Sequence, residues 1–259
     1  MVFDSQRALA AFAAYAANYN DQDPKVRLKI DHTYRVAGLC RRIARSLDLP
    51  EEEVQLAWLC GLLHDVGRFE QLRWYGTFND AQSIDHAACG AQVLFEEGHI
   101  RDYLDDPSED ELLHRAVALH SVYRLPELDG RTARFCNILR DADKIDILRV
   151  NVEVPLEEIY NVSTRELYDA SITPEVAQAF YGHHAVLRAL KRTPADNIVG
   201  HMSLVYELVF PESLRIVREQ GWLDKLMAFA SDNPGTRETL AGMRAHMHAW
   251  LDSRCGQEG

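Results

Sequence analysis

Leu62-Leu63-His64-Asp65-Val66-Gly67-Arg68 sets an imidazole beside a carboxylate at the end of an apolar run. A His-Asp dipeptide arises often by chance, so its surroundings decide its meaning. Pro50 followed by Glu51, Glu52 and Glu53 predicts a helix start, because acidic residues suit the positive end of a helix dipole. The spacing carries that helix to about Asp65-Val66-Gly67, where Gly67 would permit a left-handed turn. His64 follows Ala57, Cys60 and Gly61 at helical offsets, which puts it on an apolar face. Residues 68–80 read as a long aromatic loop beside the pair, and long loops in compact domains are often functional.

Three more histidines share this apolar setting. His32 lies in line with Val36, Leu39 and Ile43 on a helix that starts at Asp23-Pro24 and runs to about Leu47. His86 leads Cys89, Gly90, Val93 and Leu94 in a helix expected over 82–97. His120 trails Leu113, Ala116 and Val117 in a helix that starts at the capping box Ser108-Glu109-Asp110-Glu111 and reaches about Ser121. A further helix over 130–149 carries Asp141-Ala142-Asp143-Lys144. Its buried face is marked by Phe135, Ile138, Leu139, Ala142 and Ile145. Asp141 and Asp143 stand about 200° apart on a helix, so only one can face a shared pocket. Asp143, at the edge of the buried face, is the expected ligand. Asp141 is expected to point away as a solvated or backing acid, and Asp146 to orient a histidine. For any one of these histidines a hydrogen-bonded core residue is the plain reading. Four of them with a carboxylate neighbour suggest a shared cation, since buried imidazoles need partners and mixed imidazole and carboxylate sets bind first-row transition metals. His99, His114, His183, His184, His201, His246 and His248 lack that context and receive no role.

Composition sets the frame. The chain has 259 residues, 47% of them hydrophobic and 26% charged, which suits one globular core or a core with an appendage. Helix signals dominate and strand-like alternation is scarce, so an all-α compact bundle is expected, opening with a helix over 4–19. Residues 1–150 are read as a metal-binding helical core and 151–259 as a C-terminal helical extension packed on it as one domain. Helix starts are expected at Thr173-Pro174, Thr193-Pro194 and Asn233-Pro234, and a short extended piece at Val152-Glu153-Val154-Pro155 in the seam at 150–172. A net charge of −12 makes general nucleic-acid binding unexpected, because phosphate neutralisation needs a basic surface. Five cysteines without a Cys-x-x-Cys pair, no basic leader, and an apolar run over 9–17 too short to cross a bilayer point to a cytoplasmic protein without membrane contact. Assembly into a homo-oligomer is left open.

With these residues placed, the chain resembles the HD superfamily of metal-dependent phosphohydrolases. That family's His, His-Asp and later Asp are matched by His32, His64-Asp65 and Asp143, and the likeness covers about residues 24–150. His86-Ala87-Ala88-Cys89-Gly90 resembles the His-Pro-x-x-Gly segment of the HD-GYP branch, and Ala118-Leu119-His120-Ser121 its His-His segment, with Ser121 in place of the second His. The resemblance implies two divalent transition-metal ions (Mn, Fe, Co, Ni or Zn) bridged by Asp65. His32, His64 and Asp143 would hold one, and His86 and His120 the other. Ser121 argues against a third ion. The Gly-Tyr-Pro signature after His120 is missing, which argues against cyclic di-GMP hydrolysis by the HD-GYP route. The Glu-Asp pair of alarmone hydrolases is missing too. The implied reaction is hydrolysis of a phosphomonoester or phosphodiester in a small phosphorylated or nucleotide substrate by metal-activated hydroxide. Asp65, Arg68 and Lys144 would be its catalytic groups, the last two by contacting phosphate, with Arg35 a further phosphate candidate. Trp74, Tyr75 and Phe78 would line or lid the pocket. Two other readings share the ligand set. One resembles the di-iron site of myo-inositol oxygenase and its phosphonate-cleaving relatives; the other is a non-catalytic metal- or ligand-binding domain.

Overall fold

Short polar caps followed by apolar stripes break this chain into helices, and no strand forms among the described residues, which run from 4 to 255 in a computed structural model. Two compact units result, one up to Asp143 and one from Lys144 onward.

In the first unit, α1 (Ser5–Ala16) is capped by Asp4, and α2 (Pro24–Ser46) by Asp23, whose carboxylate accepts from Lys25 N at 2.8 Å. α3 (Glu51–Leu63) is buried on every side: each residue from Leu56 to Leu63 is inaccessible, so it forms the axis of this unit. A Cβ on Gly61 would stand 2.6 Å from Ala37 Cα, so that glycine lets α2 and α3 lie nearly backbone to backbone.

Residues 68–80 are not the expected loop. α4 (Val66–Tyr75) begins directly after the His-Asp pair and ends at Gly76, whose φ of 66° supplies the left-handed stop. Gly67 therefore serves packing and not a turn: a Cβ there would stand 2.2 Å from His86 O and 2.5 Å from Gly90 N. Phe69 on α4 meets Phe12 on α1 edge to face at 6.0 Å. Both rings are fully buried, each worth about 1.5–3 kcal/mol.

α5 (His86–Ala91) starts later than expected, after a single tight turn at Asp80–Gln82, because Asp85 is the residue that caps it. A wide turn at Gln92–Glu96 follows, then α6 (Ile100–Tyr103) and α7 (Asp110–Leu119). The capping box expected at Ser108 does not form. Pro107 opens a tight turn capped by Asp106 instead, and α7 starts without a side-chain cap. α8 (Gly130–Glu153) is a helix of 24 residues, and the division between the units falls inside it.

The second unit holds the rest of α8, α9 (Leu156–Tyr160), α10 (Thr164–Asp169), α11 (Pro174–Tyr181), α12 (Pro194–Met202), α13 (Pro211–Gln220), α14 (Trp222–Met227) and α15 (Pro234–Cys255). The three expected Pro-led starts are present. Thr193 and Asp196 form a reciprocal capping box on α12. The extended piece expected at 152–155 is absent: α8 continues through Glu153, and Pro155 already caps α9.

Candidate metal centre

Helix ends build the site. His64 closes α3, His120 closes α7, His86 opens α5, and Asp65 sits at the junction of α3 and α4. His32 comes from the middle of α2 and Asp143 from α8. The last carbonyls of a helix have no intrahelical partner. His64 and His120 use this in the same way: each Nδ1 lies 2.8 Å from the carbonyl three residues earlier, of Gly61 and of Val117. A carbonyl only accepts, so each Nδ1 carries the proton and donates it.

His86 reaches the same state by another route. Its Nδ1 lies 2.6 Å from Asp80 Oδ2. Burial alone would raise the Asp80 carboxyl, but His86 and Arg68 hold it far below the usual carboxylate range, so it is ionised and accepts. Burial keeps His86 neutral, with its pKa near 4, and also lowers His64. The Nε2 atoms of His64, His86 and His120 therefore present bare lone pairs.

These lone pairs converge. His86 Nε2 lies 3.0 Å from His120 Nε2, and His64 Nε2 lies 3.3 Å from His32 Nε2. Asp65 stands between the two pairs. Its Oδ2 is 3.5 Å from His32 Nε2 and 3.4 Å from His64 Nε2, and its Oδ1 is 3.7 Å from both His86 Nε2 and His120 Nε2. Asp143 Oδ1 adds to the first pair, 3.2 Å from His32 Nε2. Facing lone pairs repel each other unless a cation lies among them. Two nitrogens about 2.1 Å from one ion stand roughly 3.0–3.4 Å apart in octahedral or tetrahedral geometry, and the observed spacings match. The donor set thus fits divalent metal. His32, His64 and Asp143 form one group whose ligand atoms lie within reach of a single cation, and His64, Asp65 and His120 form a second. A third cluster that could take a cation, Asp80, Asp85 and His86, uses groups already engaged, with Asp80 on His86 and Asp85 capping α5.

Lys29 was not singled out from the sequence. Its Nζ lies 2.7 Å from Asp65 Oδ2 and 5.4 Å from the centre of the Phe78 ring. Burial opposes the ionised Asp65, but Lys29 and His64 overcome it and hold this carboxyl well below the usual range. Asp80 was passed over as one more loop residue. It accepts from Arg68 Nη1 at 2.7 Å and from the fully buried Gln71 at 2.8 Å. Arg68 Nη1 also donates to Phe78 O and Gln71, whereas its Nε is buried without a hydrogen bond, 3.6 Å from Asp65 Oδ1.

The remaining expectations divide. Lys144 is half-buried on α8 immediately after Asp143. Arg35 is exposed and paired with Asp31. Phe78 lies against Lys29 and Arg68, while Trp74 and Tyr75 are exposed at the end of α4. Asp141 does not point to solvent. Residues 138 to 142 of α8 are all buried, so this stretch has no outward face. Asp146 makes a two-pronged pair with Arg149, both contacts at 2.8 Å.

A family model of the HD domain matches residues 30–148. The 3'3'-cGAMP-specific phosphodiesterase 1 of Vibrio cholerae serotype O1 is 24% identical over 123 residues, which span 46% of this chain and 27% of that protein. The chain thus covers only about a quarter of that relative's length. No solved structure matches. The stretch matched by the HD-domain model contains His32, His64-Asp65, His86, His120 and Asp143.

Proposed function

We propose that the protein is a metal-dependent phosphohydrolase acting on a small phosphorylated or nucleotide substrate, with the chemistry in residues 1–150 and two divalent ions that His32, His64, Asp65, His86, His120 and Asp143 would hold. The observation that carries this reading is the convergence of three imidazole lone pairs and two carboxylates on one buried space. The phosphodiesterase relative supports hydrolysis over oxidation. When bound, the ions supply Lewis acidity: they acidify water and neutralise charge on phosphoryl oxygens.

The chain's own groups prepare the site. Helix-end carbonyls fix the rings of His64 and His120, and Asp80 fixes His86. Lys29 keeps Asp65 ionised. The side chains of Lys29, Arg68 and Asp143 are 15–16% exposed and that of Asp80 30%, while His32, His64, Asp65, His86 and His120 are nearly sealed, so a phosphate would arrive from the side of the first four. Lys29, Arg68 and Lys144 would meet it with positive charge. No helix among the described residues is long and apolar enough to cross a membrane, and buried free cysteines suit a reducing cytoplasm.

The test is metal analysis of anaerobically purified protein, then assay on nucleotides, sugar phosphates, simple phosphodiesters and 3'3'-cGAMP. Metal-dependent turnover of at least one ester, lost in His64→Ala, is expected. Tightly held metal with no ester cleaved, or oxygen consumption in place of phosphate release, would overturn the reading.

A further inference from the structure

We propose that the second unit carries its own oxyanion site at Lys191 and His201, selective for an anion that brings a proton, namely phosphate bearing a P–OH. A chain of hydrogen bonds dictates which protons are free there. Asn151 Nδ2 donates to Ile147 O at 2.9 Å, which fixes the amide and turns Oδ1 toward Tyr160. Tyr160 O–H donates to that Oδ1 at 3.1 Å and has no second proton to give. Its oxygen lies 3.0 Å from His201 Nδ1, so it must accept from His201 Nδ1–H. His201 Nε2 is then left with a lone pair. The ring is stacked on Tyr160 at 5.7 Å, and burial, with Lys191 second, holds it neutral at a pKa near 3.

The neighbouring cation is built in. Lys191 lays its head over Gly200 of α12: a Cβ on Gly200 would stand 2.4 Å from Nζ and 2.5 Å from Cε. A glycine at this position makes the notch that the ammonium fills, one residue from His201. Burial lowers Lys191, and Arg188 adds further positive charge. Asp196 also acts on Lys191, but its two oxygens already accept from Thr173 N, Thr173 Oγ1, Arg192 N and Thr193 N at 2.6–3.0 Å. No hydrogen-bond or ion-pair partner of Lys191 Nζ, and none of His201 Nε2, is found among the described residues. Lys191 and His201 are both partly accessible. The notch therefore offers an ammonium that an anion would pair, within electrostatic reach of His201, whose Nε2 lone pair a proton donor would meet. Sulfate and carboxylate answer the first need alone. A phosphate with a P–OH answers both.

The test uses the whole 259-residue chain with 15N-labelled histidine. At about pH 7.5 inorganic phosphate still carries a P–OH, whereas a monoester such as glycerol 2-phosphate has mostly lost its last proton, which leaves near pH 6. Phosphate is expected to move the His201 Nε2 resonance and sulfate to leave it in place. The monoester is expected to act at about pH 5.5 and fade at 7.5. The tighter of the two ligands identifies free phosphate or a phosphate ester as the occupant. By calorimetry, Lys191→Met is expected to weaken phosphate at least ten-fold. In His64→Ala the His201 response should persist, which separates this site from the metal centre. An equal response to sulfate, or an unchanged phosphate affinity in Lys191→Met, would overturn the proposal.

Discussion

Asp80 holds His86 from behind, and the hold is itself held: Arg68 and Gln71 both donate to the carboxylate that accepts from His86 Nδ1–H. A carboxylate in this position raises the basicity of the far nitrogen and fixes its direction. Asp80→Asn is therefore expected to lower metal affinity or activity by about 10–100-fold with helix content unchanged. Titration of metal-free protein with Zn2+ measures it, and unchanged affinity would refute the role. Asp143 and Asp141 should part company in the same assay. Asp143→Asn removes the negative charge of a carboxylate whose Oδ1 lies 3.2 Å from His32 Nε2 and should lose metal. Asp141 is fully buried, and its substitution should register in the unfolding midpoint before it registers in metal content. His201 sets a pH dependence. In the unfolded chain a histidine titrates near 6.5, whereas burial and Lys191 hold folded His201 near 3. Below about pH 6.5 the unfolded state takes up the proton first. The stability that neutral His201 contributes is thus complete above 6.5 and is lost progressively down to about 3. Between pH 7.5 and 5 this amounts to about 2 kcal/mol. Urea unfolding at the two pH values should show a smaller difference in His201→Gln than in wild type. An identical difference in both proteins would remove His201 from the account.

At the scale of elements, glycines decide how closely helices approach, and here the sequence was only half legible. Caps and Pro-led starts could be read directly because their signals are local: Asp23-Pro24, Thr173-Pro174, Thr193-Pro194 and Asn233-Pro234 all open helices. The four histidines, Asp65 and Asp143 that the sequence singles out do lie close together in space, as their apolar setting suggested for the histidines. What failed was any feature set by a partner distant in the chain. Gly67 looks like a turn residue in sequence, but its smallness is required by His86 and Gly90 across the α4–α5 contact. The same blindness hid α4 inside a supposed loop and hid Lys29, whose partner Asp65 is 36 residues away. It also left a solvated Asp141 open, because a two-sided helix pattern does not describe a stretch buried all round. Gly67→Ala tests the packing account. It should cost about 3 kcal/mol through backbone overlap and should also reduce metal binding, because α5 carries His86. Gly76→Ala meets open space and only strains a left-handed residue, so it should cost about 1–2 kcal/mol and leave metal binding intact. Denaturant midpoints and metal content of the two variants make the comparison. Equal metal loss in both would mean that the close approach at Gly67 does not position His86.

For the whole molecule, the proposed metal centre would be a folding device as much as a chemical one. The candidate ligands come from five helices and one helix junction spread from residue 32 to residue 143, and those groups come together only in the native state. A cation that binds the folded chain alone stabilises it by about 2.7 kcal/mol at a hundred times its dissociation constant. In a chain of 259 residues that corresponds to a rise of roughly 5–10 °C in melting temperature. The net charge of −12 complicates the reading, because any salt screens self-repulsion and stabilises such a chain somewhat. The two effects differ in what they need. Screening acts on the summed charge and should raise wild type and His64→Ala alike when sodium chloride is added. Divalent transition metal needs the converging lone pairs, and at micromolar concentration it should raise wild type and leave His64→Ala unmoved. Scanning both proteins after chelation, with each addition in turn, separates the two. A metal-induced rise that survives in His64→Ala, or is matched by sodium chloride alone, would show that the cation acts through bulk charge and that the imidazoles of α2, α3, α5 and α7 do not hold it.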